Sequence, residues 1–326
     1  MSRAVRIHEY GGPEVLRWEE LPTPVPGPDE VLILQDAVGL NFIDIYYRTG
    51  LYKLPSLPAV LGMEGAGRIK AVGANVRDLQ PGDRVAYPSA LGAYALKRVI
   101  PADRVVRLPD AVDSRVAAGV MLRGLTVQAL LRQVYEVKPG DPILVHAAAG
   151  GIGLLMCQWG RHLGAEVIGV VSTEEKAERA RMAGAAHVVV GLDNLPARVK
   201  QITDGAMVPV VYDSTGKDGF LPSLDCLRPR GVMVSFGNAS GEVTGVALSM
   251  LASRGSLYVT RPTLGSFIGK RDRLEAASAE LFALLSDNTL KVEIGQEFPL
   301  SRVAEAHEAM AARRTTGSTV LIPDQP

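Results

Sequence analysis

Residues 141–153 read DPILVHAAAGGIG. The apolar run at 143–145 has the make-up of a buried strand. Residues 147–153 are a turn of small residues, and 152–163 continue as a helix. A strand that feeds a glycine-rich turn and then a helix collects unpaired backbone N–H groups at the helix start. Such a start attracts an anion, above all the pyrophosphate of a dinucleotide. Gly150, Gly151 and Gly153, with Ile152 among them, let the backbone approach a phosphate and let the helix settle on the sheet. The stretch lies near the middle of a 326-residue chain, so a sizeable module precedes it.

Downstream, strands and helices alternate. Strands are expected at 143–146, 166–171, 187–190, 208–212, 231–236 and 256–260, with helices from 152, at 174–182 and at 219–226. Short apolar strands separated by helices predict a parallel sheet covered on both faces. Beyond it, 271–285 and 304–313 read as helices. Residues 318–322 read as a strand able to return the chain to the first module. The second strand of the alternation informs the nucleotide type. It ends in Ser172-Thr173-Glu174-Glu175-Lys176, with no acid at the strand end to hold ribose hydroxyls. Ser172 and Lys176 can contact a ribose 2′-phosphate, which predicts NADPH over NADH. Ser172 and Glu175 equally read as a capping box, with Lys176 a solvated helix residue.

Upstream, the texture is strand and turn. Alternation at 4–10 runs into Gly11 and Gly12. Pro22, Pro24, Pro26 and Pro28 make a stiff connection that cannot be helical. Further strands fit 30–37, 65–72, 84–87, 94–99 and 105–108, in a mostly antiparallel module. A short helix at 44–48 is capped by Asn41 or Asp44. Residues 116–134 read as one amphipathic helix leading into the centre.

Length favours two domains. Lys plus Arg and Asp plus Glu each number 35, and this balance argues against nucleic acid as the main partner. The first residues, MSRAVRIHEYGG, lack the apolar core of a signal peptide, and no apolar stretch is long enough for a bilayer span. The expected compartment is the cytoplasm. With two cysteines, Cys157 and Cys226, neither in a CxxC pair, a four-cysteine zinc site is excluded. Both read as small buried hydrophobes.

Six segments together carry a family resemblance: GLNFIDIYYRTGLY at 39–52, GMEGAG at 62–67, VHAAAGGIG at 145–153, VYDSTG at 211–216, SFGNASG at 235–241 and LYVTRPTL at 257–264. The chain resembles the zinc-independent, zeta-crystallin-like quinone oxidoreductases of the medium-chain dehydrogenase/reductase superfamily. The resemblance covers nearly the whole chain. It implies an α/β fold with two parts. A GroES-like, mostly-β catalytic domain would span 1–125, completed by 266–326. A Rossmann dinucleotide-binding domain with a parallel sheet would span 126–265. It also implies NADPH as cofactor, a quinone as substrate, and a homodimer whose Rossmann sheets join into twelve strands.

Zinc-dependent relatives carry a cysteine where Asn41 stands and a histidine where Met63 stands. Glu64 persists, but one carboxylate does not hold a catalytic zinc. Without a Lewis acid, a quinone or an alkene conjugated to a carbonyl remains a competent hydride acceptor, and a simple alcohol is a poor substrate.

The resemblance places Asn41, Tyr46 and Tyr52 in the substrate cleft, Asn41 also toward the cofactor. It places Thr126 and Phe236 near the nicotinamide, Ser214, Gly237, Arg261 and Thr263 against the cofactor, and Arg313 near the adenine-ribose phosphate. Each has a plainer alternative: tyrosines packed in their own domain, Thr126 bracing its helix, Phe236 in the core, Arg313 a surface charge. Relatives often carry a tyrosine after the third Rossmann strand, where this chain has Gly191. No acid–base residue stands out, and His146 reads as a strand residue near the cofactor. The expected function is NADPH-dependent quinone reduction without metal. An NADPH-dependent enoyl or alkenal reductase is the alternative, and a slow-turnover nucleotide-binding structural or redox-sensing protein the rival from another class.

Overall fold

The proline-rich first third pairs its strands antiparallel, and the glycine-rich centre pairs its strands parallel. In the computed structural model, which describes residues 1–324, the chain divides into two compact units. Unit 1 is Met1–Leu125 with Ile268–Pro326, and unit 2 is Thr126–Phe267.

In chain order, unit 1 opens with β1 (Ser2–Ile7), β2 (Arg17–Leu21), β3 (Glu30–Leu40), α1 (Phe42–Thr49), β4 (Ala59–Val60) and β5 (Glu64–Val72). It continues through β6 (Arg84–Tyr87), β7 (Lys97–Pro101), β8 (Val106–Arg107), α2 (Ser114–Ala118) and the start of α3 (Met121–Gln128). Unit 2 follows with β9 (Pro142–His146), α4 (Gly151–His162), β10 (Glu166–Val171), α5 (Glu174–Met182), β11 (His187–Val190) and α6 (Leu195–Ile202). Then come β12 (Val208–Asp213), α7 (Lys217–Leu224), β13 (Leu227–Ser235), α8 (Leu248–Ser253), β14 (Tyr258–Thr260) and α9 (Leu264–Ile268). The chain returns to unit 1 with α10 (Arg271–Ser286), β15 (Ile294–Pro299), α11 (Val303–Ala311) and β16 (Ser318–Ile322).

Unit 1 has a small sheet ordered β2-β1-β4 and a larger one ordered β15-β16-β3-β5-β6-β8, with β7 also on β3. The C-terminal strand β16 does return: Thr319, Val320 and Leu321 pair antiparallel with Leu40, Gly39 and Val38. One core serves both chain segments, joining Val5, Ile33, Leu61 and Tyr94 to Val303, Ala306, Met310 and Leu321.

Unit 2 is a six-stranded parallel sheet ordered β11-β10-β9-β12-β13-β14. The order reverses direction between β9 and β12, so the strand ends there flank the crevice where such sheets take ligands. Its core includes Leu144, Ile168, Val189, Val211, Phe220 and Met233.

Several expected bounds shift. The single helix expected at 116–134 is three pieces: α2, α3 and a π-helical turn at Ala129–Val134. Gly119 ends α2, and a Cβ there would press on Ile294, Ser318 and Val320 side chains. The strand expected at 94–99 begins at Lys97, because residues 94–96 bond outward to β1 and β3 flanks through Val5, Arg3 and Gln35. The last strand of unit 2 shortens to Tyr258–Thr260, since Ser256 sits at φ +60. Cys226 follows α7 instead of lying on it, and both cysteines are free and buried. No helix among the described residues is long and apolar enough to cross a membrane.

Candidate functional site

In unit 2 the parallel strands deliver their following loops to one edge of the sheet. After β9, Ala147 adopts a left-handed φ of +50, and Gly150 N–H closes back on its carbonyl at 2.8 Å. Gly150 is the N-cap of α4 and no side chain caps that helix. The first N–H groups of α4 therefore carry the local positive end of the helix without an internal anion. A Cβ on Gly153 would lie 2.2 Å from the Ala147 carbonyl oxygen, so only glycine lets α4 start this close to the turn.

Next along the edge, Lys176 Nζ donates to Ser172 Oγ at 2.9 Å, both exposed. The expected capping box does not form. Thr173 is the N-cap of α5, its hydroxyl accepting from Lys176 N–H at 3.3 Å. Ser172 is thereby left outside the helix, joined to the lysine one turn in.

Beyond the crossover, the loops after β12 and β13 are tied together. Asp213 is fully buried, and its carboxylate accepts from Thr215 N–H at 2.6 Å and from Gly216 N–H at 3.3 Å. Ser240 N–H reaches Thr215 O at 2.7 Å, and Ala239 N–H reaches Ser214 O at 3.3 Å. A Cβ on Gly237 would meet Ser214 O at 2.2 Å, so the two loops touch through backbone. Phe236 is half-buried. Arg261 donates to the carbonyls of Ser235 at 3.1 Å and Gly237 at 3.0 Å, bracing this loop from within unit 2. Thr263 pairs with Ser266 at 3.0 Å. Gly191 turns the chain after β11 at φ +80, with open space where a Cβ would stand.

His146 ends β9 buried at 2 % exposure, with Nε2 2.8 Å from Ser223 Oγ on α7. Burial lowers its pKa, and the Asp213 carboxylate opposes that shift. It is a satisfied core histidine, held away from acid–base work.

Unit 1 holds Asn41, Tyr46 and Tyr52 around α1. Asn41 is the N-cap, and its own N–H donates to Asp44 Oδ2 at 2.8 Å in a capping box. The Tyr52 ring packs edge-on against Tyr46 at 5.4 Å and against Tyr47 at 5.8 Å. Tyr52 N–H also donates to Tyr46 O at 3.1 Å. The three half-buried rings form one aromatic cluster. Thr126 lies in α3, first residue of unit 2, and Arg313 is an exposed residue at φ +56 just past α11 in unit 1.

Two features escaped the sequence reading. Glu64, fully buried, accepts from Asn41 Nδ2 and from Leu122 N–H, each at 2.6 Å. Burial pushes its carboxyl up to about 7, against the pull of Arg123 and the two donors. The second is a buried chain of polar groups. Arg48 Nη1 lies 3.2 Å from His307 Nδ1, and His307 Nε2 lies 3.0 Å from the Tyr94 hydroxyl. The hydroxyl in turn meets Asp44. A guanidinium only donates, so His307 accepts at Nδ1, is neutral, and carries its proton on Nε2, facing the Tyr94 hydroxyl. Burial, with Arg48 adding to it, lowers His307 to about 3, and burial raises Asp44 to about 7. The sequence reading offers Asp44 only as one of two caps for a helix at 44–48, whereas it is the third residue of α1, which starts at Phe42. His307, on a far segment, gives no sequence signal.

Residues 27–110 match the alcohol dehydrogenase GroES-like domain family, and 151–283 match the zinc-binding dehydrogenase family. A quinone oxidoreductase of Pseudomonas aeruginosa is 53% identical over 325 residues, covering 99% of this chain and 100% of that one. The chain belongs to the quinone oxidoreductase family. The solved structure of the Escherichia coli quinone oxidoreductase, complexed with NADPH, superposes on it with a TM-score of 0.94 at 48% identity. It covers 98% of this chain and 100% of that one. A 2-haloacrylate reductase of Burkholderia is 43% identical, covering 99% of each chain. The α/β fold with a GroES-like domain and a parallel-sheet dinucleotide domain is thus that of the quinone oxidoreductases. Although one matching family is named for zinc, no group of three His, Cys, Asp or Glu among the described residues could hold a metal ion.

Proposed function

We infer that the protein is an NADPH-dependent quinone reductase that works without metal. The observation that carries this is the uncapped start of α4 beside the Ser172–Lys176 pair, both at the ligand-taking edge of a parallel sheet. The α4 N–H groups suit a pyrophosphate, and the ammonium and hydroxyl suit a ribose 2′-phosphate. The relative from Escherichia coli supports the same cofactor through its NADPH complex. Bound NADPH supplies a hydride to an electrophilic acceptor.

In this reading Gly150, Gly151, Ile152 and Gly153 hold the pyrophosphate. Ser214, Phe236 and Gly237 flank the nicotinamide side, with Arg261 stiffening their loop and Thr263 and Thr126 beside it. Asn41, Tyr46 and Tyr52 orient substrate and exclude water, and Arg313 adds charge toward the adenine end. Quinones are the substrate class. A conjugated alkene is a second acceptor class, which the 43% identical 2-haloacrylate reductase supports. The protein works in the cytoplasm as a homodimer.

The test is NADPH consumption against a panel of quinones and conjugated enones, with direct titration of NADPH and elemental analysis of the active protein. Quinone-dependent turnover by zinc-free protein is expected. No turnover despite tight NADPH binding would leave a binding protein, and activity that tracks stoichiometric zinc would sink the metal-free reading.

A further inference from the structure

Glu64 stands one residue after Met63 in GMEGAG, and nothing in the reaction proposed above uses it. Its surroundings are those of a built site. It is fully buried, and both carboxylate oxygens are occupied, one by a side-chain amide and the other by a backbone N–H. The seat is shaped for it. Gly39 is the β3 partner of Glu64 across the β3–β5 ladder, and a Cβ on Gly39 would lie 2.4 Å from Glu64 Oε1.

We propose that Glu64 is a positioning residue, whose carboxylate fixes the Asn41 amide so that Asn41 offers a ligand its oxygen, an acceptor for a hydroxyl group. The argument is one of hydrogen-bond sense. In its ionised form Glu64 only accepts, so the atom of Asn41 that faces it at 2.6 Å is the NH2. The oxygen is then turned toward the N-terminus of α1, where the capping box uses one of its two lone pairs. The remaining lone pair reads a donor. Hydroxyl donors of two kinds occur in the proposed reaction: a ribose hydroxyl of the cofactor and the hydroxyl of a reduced quinone. The assignment rests on the reading of Asn41 as a site residue.

Glu64→Gln tests it without emptying the seat. The amide so introduced has one acceptor and one donor end, whereas the wild-type partners are both donors. The Leu122 N–H belongs to the backbone and cannot turn, but the Asn41 amide can. The variant therefore inverts Asn41 and presents its NH2 instead. The experiment compares wild type, Glu64→Gln, Asn41→Ala and the double variant by NADPH affinity, by kcat and KM for a quinone, and by the side-chain NH2 resonances in 15N spectra.

Glu64→Gln and Asn41→Ala are each expected to lose about tenfold in kcat/KM or NADPH affinity, and Glu64→Gln to lose less than about twofold once Asn41 is alanine. A loss in NADPH affinity assigns the ribose as donor, and a loss in kcat with affinity intact assigns the product hydroxyl. The NH2 pair that vanishes in Asn41→Ala should be widely split in wild type and collapse in Glu64→Gln. An undiminished Glu64→Gln loss in the Asn41→Ala background, or an NH2 pair that ignores Glu64, overturns the proposal. Loss in Glu64→Gln with none in Asn41→Ala also overturns it. Should quinone turnover be absent altogether, the NH2 spectra still decide the orientation of Asn41.

Discussion

Lys176 bonds to Ser172 across the exposed first turn of α5, with no carboxylate on its ammonium in the hydrogen bonds found there. A 2′-phosphate offers that ammonium a charge-assisted partner that a 2′-hydroxyl does not. Lys176→Ala should weaken NADPH binding about tenfold and NADH binding less than about twofold, read by fluorescence titration of both. Equal losses would remove the lysine from cofactor selection. Tyr52 belongs to the other unit and to the other reactant. Its ring is wedged edge-on against Tyr46 and Tyr47, which leaves it little freedom of its own. Tyr52→Ala should lower kcat/KM for quinones about tenfold while leaving NADPH affinity within about twofold. Unchanged turnover with several quinones would make the cluster a packing device only.

At the scale of elements, α11 is pinned to α1 by the buried contact of His307 with Arg48, which the Tyr94 hydroxyl extends on the other ring nitrogen. Because His307 stays neutral in the fold down to about 3 but takes up a proton near 6.5 when unfolded, its contribution to stability is whole above that range. It is lost as the pH falls toward 3, by about 1.4 kcal/mol per pH unit at most. His307→Gln should therefore cost stability at about pH 7.5, with the gap to wild type narrowing through about pH 6 and 5 in urea unfolding. A gap that stays constant would place the low pKa elsewhere. Asp44 and Glu64, whose pKa values are raised, act with the opposite sign in both proteins and cancel in the comparison.

The same elements tell what a sequence can reveal. β10 and β11 were legible as short apolar runs, and the polar α5 between them is marked off by Thr173 at its start and by Gly184 at positive φ after its end. The strand RWEEL at Arg17–Leu21 was not, since it is a charged edge strand in which Trp18 alone is an aromatic packed on the core. Nor was the Glu64–Asn41 clamp. The two residues are 23 apart in sequence and meet only through the β3–β5 register. The glycine turn was legible because its function lies in local backbone. The Asp213 loop in VYDSTG is equally local, yet a buried carboxylate that caps its own turn leaves no periodic mark.

For the whole molecule, the decisive surface is the outer edge of unit 2. β14 is three residues long, and Tyr258 and Val259 are 60% and 40% exposed. Such an edge invites another strand unless it is covered. Light scattering should give twice the mass of one 34.7 kDa chain, and Tyr258→Asp should return a monomer that still binds NADPH. A wild-type monomer at assay concentration would rule out the pairing.

Unit 1 is made of two pieces of chain, and that governs how it is born. Val38, Gly39 and Leu40 emerge early, yet their partners Leu321, Val320 and Thr319 follow only after all of unit 2 has been translated. A ribosome adding about 5–20 residues per second imposes a delay on the order of ten to sixty seconds. Meanwhile unit 2, whose strands all come from one continuous stretch, can close by itself. The later-made unit is then the first to fold, and the N-terminal strands spend that interval with an open edge, the period in which a nascent chain most needs a chaperone's cover.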